Sequence, residues 1–569
     1  MSKINPQRAF AAEHFEAFRG LGEDHLRSKR YASSISNFRI TSNGTLKKRG
    51  GYVKQESFPE PIRAYWKGYL GNKIYQFAAC ESKIFSIDES TGDPIPMGNL
   101  PYSDTNVDFF ELEGELYLLD GNEMRVFVPT TQSFESIDPY VPLYGKNWDP
   151  TSGGSANEQF NLLTNCIRVQ YENPSNATTF KLPFAAKRID GVRVNGTSVS
   201  SYTWQSYSNQ LTLPASSTGY YVEIAMEAVM TDLGADIRSA KRAAILNHQS
   251  HSTLFFYNTK NSNRIYPSSP ISTHNLYSCR VFYPSAKPFY FVEDDQIHVG
   301  NPEHPLVALC SFRDRLLAYS ELGTWMLAPN EEGRITSEPL LFNLACTAPK
   351  AAIVVGETPV LVNKNGIFLL SLPDSTSPPE TEKISDAVSD LIGPHFWEKA
   401  CAWNNRYFEE IWFRDTSDYA SPILVYNYRQ KEWYRFENVY ATDFLDTVDG
   451  SLFLVTNTVY RIDDTLPTDN GDEIIAYYQS GYFSFGHPEA RKRSLRMVVS
   501  AALLGDDNYV ILETESGQQT FQLTGGSSTV PDCFDLRVLL GRFRFLRFRI
   551  LMGGEQTGKL RSLSFYANL

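Results

Sequence analysis

The chain has no long apolar run: none of its 569 residues lie in a stretch approaching the ~18 apolar residues of a membrane-crossing helix. The opening Met1-Ser2-Lys3-Ile4-Asn5-Pro6 has no apolar core of the kind a secretory signal needs, so none is expected. Cysteine is sparse and scattered. Cys80, Cys166, Cys279, Cys310, Cys346, Cys401 and Cys533 include no C-x-x-C pair, which argues against zinc-ribbon and thioredoxin-like chemistry and predicts buried free thiols. Basic charge is also short. With 53 Lys and Arg against 65 Asp and Glu, the net charge is −12, a poor balance for tight phosphate binding. Acidic walls would instead help DNA to pass a channel without adhering.

Catalytic signatures are missing as well. There is no G-x-S-x-G elbow, no Walker A loop, no H-E-x-x-H and no S-x-D-x-G-x-T-W box. His248 and His251 have ligand-like spacing but no acidic partner nearby, and Glu293-Asp294-Asp295 reads as a solvated loop. No catalytic, cofactor-binding or metal-ligating residue is therefore assigned. Sequons at Asn43, Asn176 and Asn195 read as turns. Arg491-Lys492-Arg493, Lys47-Lys48-Arg49 and the alternating Arg542-to-Ile550 segment suit pairing with carboxylates, within the chain or between copies.

What the chain has in abundance is aromatic residues. With 36 Phe and 32 Tyr, it is expected to be mostly β, because flat side chains suit a pleated surface. Short strands separated by tight turns recur. Lys73–Ala79 and Glu115–Leu119 start about 42 residues apart, and later copies begin near Arg315, Pro359, Arg406 and Ser451, at steps of roughly 45 residues. A weaker copy is Thr253–Tyr257 with Arg264–Tyr266. That period is the size of a four-stranded propeller blade.

The expected fold is a β-propeller with an inserted β-sandwich-like domain and a C-terminal β-domain. Residues 1–58 read as an N-terminal arm and hairpin, and 59–140 as the first part of the propeller. Residues 141–244 read as an inserted small β-domain ending in a helix, 245–469 as the rest of the propeller and 470–569 as the C-terminal β-domain. Two helices are predicted: a short one over Ala11–Phe18, and one over Asp236–Asn247, where Ile237, Ala240, Ala244 and Ile245 form a stripe. Asn43-Gly44 predicts a hairpin turn leading to a bend at Gly50-Gly51. In the Phe/Arg strand the alternation slips at Leu546, which predicts a bulge there.

The segment from Tyr31 to Tyr52 carries a family resemblance. Its pattern Tyr-(x)5-Asn-Phe-(x)5-Gly-x-Leu-x-x-Arg-x-Gly-Tyr places Asn37, Phe38, Gly44, Leu46, Arg49, Gly51 and Tyr52 as in the opening of bacteriophage tail nozzle proteins. These are also called tail tubular protein B, and the packaged-DNA stabilisation proteins look similar. Arg8 and Gly20-Leu21-Gly22 sit in the variable start of that pattern, and Trp66–Tyr75 resembles a first blade.

The resemblance implies a non-enzymatic structural protein of the virion tail, made in the host cytoplasm. It implies a sixfold ring of copies that holds DNA back and then passes it without specific binding. It also implies a tail adaptor protein and tail fibres as partners, with no cofactor. On this reading the seven motif residues form an assembly motif, and Arg49→Glu or Gly51→Val would spoil particle assembly while leaving the isolated chain folded. Alternatives are a receptor-binding or host-surface-degrading tail protein, a distal hub of a long tail, and a cellular propeller scaffold.

Overall fold

The computed structural model describes residues 10–22, 31–88, 91–101, 107–247, 252–271, 289–330, 334–372, 378–527, 529–554 and 558–568. The protein is mostly β, with 55% strand and 4% helix. It divides into two compact units, one of Arg63–Ala345 and one of Met1–Ile62 with Cys346–Leu569.

The unit Arg63–Ala345 is built on four four-stranded antiparallel meanders. The first runs Ile62–Leu70, Lys73–Cys80, Lys83–Ile87, Pro94–Asn99. The second runs Asp108–Leu112, Glu115–Leu119, Met124–Val128, Ser133–Ser136. The third is Arg242–Asn247, Ser252–Tyr257, Arg264–Pro267, Ile297–His298, and the fourth is Leu306–Phe312, Arg315–Ser320, Gly323–Pro329, Ile335–Phe342. Each is a local hairpin chain. Glu113 and Gly114, at φ +51° and +76°, make the tight turn that reverses Asp108–Leu112 into Glu115–Leu119.

Meanders next to each other in sequence pack face to face. Ala79 and Ile84 of the first meet Val107 and Leu118 at the second, and Phe110 and Tyr117 of the second meet Phe256 and Tyr266 of the third. Phe255 and Ile265 of the third meet Leu316 and Ala318 of the fourth. Phe255 and Phe256 are neighbours on one strand and so point to opposite faces, which lets the third meander bury both sides.

Between the second and third meanders lies an insert. Its five-stranded sheet runs in the order Leu143–Trp148, Cys166–Glu172, Tyr221–Ala228, Ala186–Val194, Thr197–Ser198. A three-stranded sheet of Thr179–Lys181, Gln210–Thr212 and Thr203–Trp204 accompanies it. Trp148, Val169, Tyr171, Phe180, Leu211 and Ile224 form their shared core. The helix expected over Asp236–Asn247 is not there. Ile237–Ser239 is a single 3-10 turn, and Arg242–Asn247 is the opening strand of the third meander, paired in register with Ser252–Tyr257. The pairing of that strand outweighs the helix propensity of its alanines.

The other unit holds three more meanders. The fifth is Val354–Val355, Thr358–Asn363, Gly366–Ser371, Glu380–Lys383, and the sixth is Ala400–Asn405, Glu410–Asp415, Ile423–Asn427, Glu432–Phe436. The seventh has three strands of its own, Asp443–Thr447, Gly450–Val455 and Thr458–Asp463, and takes its fourth from far away in sequence. Gly51–Ser57 pairs antiparallel with Thr458–Asp463, with Tyr52 opposite Ile462 and Ser57 opposite Thr458.

The same unit contains the strands from Ala476 to Asn568, and the N-terminal segment is woven among them rather than hanging free. Phe10–Phe15 is a strand on Lys559–Asn568, not the expected helix over Ala11–Phe18. Its Ala11 and Phe15 point inward, and Phe15 meets Phe483, Phe548 and Phe565 edge-on. Ala32–Ser36 joins the sixth meander to Ala476–Ser480, so one sheet runs on through Leu546–Met552 and Asn508–Thr514 to Gly517–Gln522. The bulge expected near Leu546 is also absent. The strand starts at Leu546, after an irregular turn, and buries Leu546, Phe548, Ile550 and Met552 in strict alternation.

Candidate functional site

The seven motif residues lie along Asn37–Tyr52 in the unit that holds Cys346–Leu569, around a buried polar clasp made by Asn37 and Arg49. Phe38–Ile40 and Leu46–Lys48 form the expected hairpin, with Ile40 opposite Leu46 and both Phe38 and Leu46 fully buried. At its tip Gly44 has φ +78°, and a Cβ there would lie 2.6 Å from the Ala17 Cα. The position therefore excludes any larger residue on two grounds.

Asn37 sits in the left-handed region at φ +54°. Its Nδ2 donates to the Ile475 carbonyl at 2.9 Å, and its Oδ1 accepts from Arg49 Nε and from the Glu437 amide, each at 2.9 Å. Arg49 makes the remaining contacts. Nη1 donates to Asp469 Oδ1 at 2.8 Å and to the Gly50 carbonyl at 3.0 Å. Nη2 donates to Asp469 Oδ2 at 2.6 Å and to the Glu437 carbonyl at 2.8 Å. All the N–H groups of the guanidinium are thus used, which is the condition under which a buried cation is tolerated. Phe436 lies under it, 5.6 Å from the ring centre.

The strand then passes Gly51, where a Cβ would sit 1.7 Å from the Thr468 carbonyl oxygen. Tyr52 packs edge-on against Phe453 and Tyr460 and donates its hydroxyl to the Asn438 carbonyl at 2.9 Å. Burial raises the Tyr52 phenol above its ordinary range. Burial also pushes the Asp469 carboxyl upward, with Arg49 partly offsetting it.

A second buried cation lies beside the motif and was not singled out by the sequence pattern. Arg39 donates from Nε to Glu410 Oε1 at 3.0 Å, pairs with Asp464, and lies 3.8 Å above the Phe408 ring. Burial works against its charge, but Glu410 and Asp464 outweigh that and raise its pKa. Tyr434 donates to the same Glu410. Phe38, Arg39 and Ile40 are all buried, although strand alternation alone would place Arg39 on the face opposite the two apolar residues, so its burial depends on Glu410 and Asp464 far along the chain. Lys48 is fully buried as well, with Nζ donating to the carbonyls of Gly553 and Gly554 at 3.3 and 2.5 Å. Burial lowers its pKa to about 8, against an opposing pull from Glu473.

The clasp holds strands together and offers no free nucleophile. Its partners all lie within the chain, so Arg49→Glu and Gly51→Val strike the fold itself rather than assembly alone.

The other flagged residues are dispersed. Lys492 is buried and donates to the carbonyls of His487, Ala490 and Arg544. Arg547 and Arg549 both pair with Glu513. Glu293–Asp295 is a 3-10 turn in which Asp294 accepts from Gln159 and Asp295 from Ser269. Arg8, His248, His251 and Cys279 lie outside the described residues. Cys80, Cys346 and Cys401 are buried as expected, Cys166 and Cys310 are half-buried, and Cys533 is exposed. Among the described residues no group of three or more His, Cys, Asp or Glu is placed to hold a metal ion, and no helix is long and apolar enough to cross a membrane.

No protein-family model matches the chain, and no curated protein matches it. Among solved structures it is similar to an exo-β-1,3-galactanase from Phanerochaete chrysosporium with galactose, at 9% identity and TM-score 0.17, over 84% of this chain and 98% of that one. It is also similar to BBS1N in complex with ARL6DN, at 9% identity and TM-score 0.24, over 73% of this chain and 98% of that one. Likenesses at these TM-scores carry no weight for fold or function.

Proposed function

We propose that the chain is a non-enzymatic structural protein of a bacteriophage tail, a nozzle or hub at the distal end. Copies would form a ring, sixfold in the family it resembles, that retains DNA and passes it during ejection. We read the repeated meanders as propeller blades. Gly51–Ser57 supplies the fourth strand of the seventh, so that blade is completed by two segments distant in sequence. An adaptor protein above the ring and tail fibres around it are the partners this reading calls for, and the virion tail is its location after synthesis in the host cytoplasm.

The observation that carries the reading is the use of the nozzle-like motif. Gly44 and Gly51 leave no room for a larger residue, Arg49 has all its N–H groups bonded, and Asn37, Phe38, Leu46 and Tyr52 pack or bond beside them. Together they tie the hairpin to the closing strand of the seventh meander. The net charge of −12 is compatible with passing DNA rather than binding it. The test is genetic. Particles made without the chain should fill with DNA yet lose it, and infectivity should return when the chain is supplied in trans. Fully infectious particles made without it would refute the reading.

A further inference from the structure

Asp532–Val538 is the edge strand of its sheet. It pairs on one side with Ser494–Ala502, in unbroken register from Leu495–Val538 to Ala501–Asp532, and among the described residues no strand pairs with its other side. An open edge of this kind is a template for another chain, and proteins normally blunt it. The outer strands of the meanders follow that rule. Pro94–Asn99 carries Pro94 and Pro96, and Ile335–Phe342 carries Pro339. Ser133–Ser136 and Glu380–Lys383 have four residues each, and Ile297–His298 has two.

Asp532–Val538 has seven residues and no Pro, Gly, Lys or bulge; Pro531 precedes it, and its charges are Asp532, Asp535 and Arg537. Exposed Val530 and Leu539, 63% and 75% accessible, flank it. The neighbouring edge strand Gly517–Gln522 is treated differently: Leu539 and Arg542 are tied beside it through Gln519 and Ser516.

The charge beside the open edge specifies what would cover it. Tyr566, Arg496 and Arg537 lie opposite one another on three neighbouring strands, forming a row across the outer face. Two arginines directly opposite repel unless a carboxylate intervenes. Asp535 serves Arg496, through hydrogen bonds of 2.8 and 2.6 Å. Arg537 and Arg493 are exposed, and no described carboxylate pairs with either. They line a cavity of about 520 Å³ together with Leu495, Val538, Leu539 and Tyr566. The next strand position in the row is where the missing carboxylate belongs.

We propose that Asp532–Val538 is a docking edge for an extended acidic segment of a partner protein. The segment adds as a further strand, sets an Asp or Glu against Arg537, and lays an apolar side chain into the cavity by Leu539. The inference stands apart from the tail reading and does not depend on it.

The test uses the full chain and two blocked peptides, acetyl-Thr-Val-Glu-Val-Glu-Val-Thr-amide and its counterpart with Lys for Glu. Amide hydrogen exchange should show new protection at Asp532–Val538 with the acidic peptide. Its binding, followed by fluorescence anisotropy, should be about tenfold tighter than that of the basic one. Arg537→Glu, an exposed change checked for an unaltered melting temperature, should reverse that preference. Equal binding of the two peptides, or no protection of this strand at roughly millimolar peptide, would overturn the proposal. So would protection of the strand in the free chain with a doubled mass, because the occupant would then be a second copy.

Discussion

Arg49 and Asp469, 420 positions apart in sequence, meet through two parallel hydrogen bonds of 2.8 and 2.6 Å, with both side chains 3% exposed. This pair joins the hairpin motif to the segment that follows the seventh meander, and the first predictions turn on it.

Breaking the pair strands a charge in a buried site. Asp469→Asn and Arg49→Ala should each cost about 3–5 kcal/mol. Arg49→Lys should recover little, because an ammonium cannot reproduce the fork or reach Asn37 at the same time. Denaturant unfolding of the three variants checks this, and a loss below about 1 kcal/mol for all of them, the range of an exposed pair, would contradict it.

Gly51 leaves no room for even a methyl group, since its Cβ would stand 1.7 Å from the Thr468 carbonyl oxygen. Gly51→Ala should therefore fail to give folded protein. Gly71→Ala is the control: it has open space around it and only the cost of its positive φ. Yield of soluble, protease-resistant chain separates the two, and equal yields would count against the assigned geometry.

Removing residues 1–57 should expose Thr458–Asp463 as a raw edge and uncover Lys559–Asn568, which pairs with Phe10–Phe15 and Leu46–Lys48. Amide exchange should accelerate at the positions of both strands that face the removed segment, while those facing Gly450–Val455 and Ser494–Ala502 stay protected. Unchanged protection would mean that the segment only decorates the domain.

Lys48 makes stability depend on pH. Its folded pKa is about 8, below the free-amine value of 10.5, because burial disfavours the charge. Below about pH 8 both states hold the proton, and the fold bears the cost of the buried ammonium. Between those values the folded chain has released the proton and the unfolded chain has not, so this residue's contribution to stability rises with pH. The melting temperature of the native chain minus that of Lys48→Met should therefore increase from about pH 7.5 to about pH 9.5. A difference that stays flat or shrinks would contradict the assignment.

Much of the strand plan was legible because it is local. The repeating copies from Lys73 to Ser451 correspond to seven meanders, and hairpin turns announce themselves through residues that accept positive φ, as Asn195 does. What was hidden depends on partners distant in sequence. Phe10–Phe15 and Arg242–Asn247 have helix-compatible composition and become strands because Lys559–Asn568 and Ser252–Tyr257 supply the hydrogen bonds. The motif residues were visible, but their partners Asp469, Glu437 and Ile475 were not. Nothing local in sequence marks an acceptor that waits for a cation 420 residues away. Arg39 was missed for the same reason.

The distal end of a phage tail is the place proposed for this chain. Gold-labelled antibody against it, applied to purified particles and viewed by electron microscopy, tests that most directly. Label is expected at the distal tail tip, where averaged images should then show a ring of copies. Intact infectious particles that carry no label and no trace of the chain would contradict it.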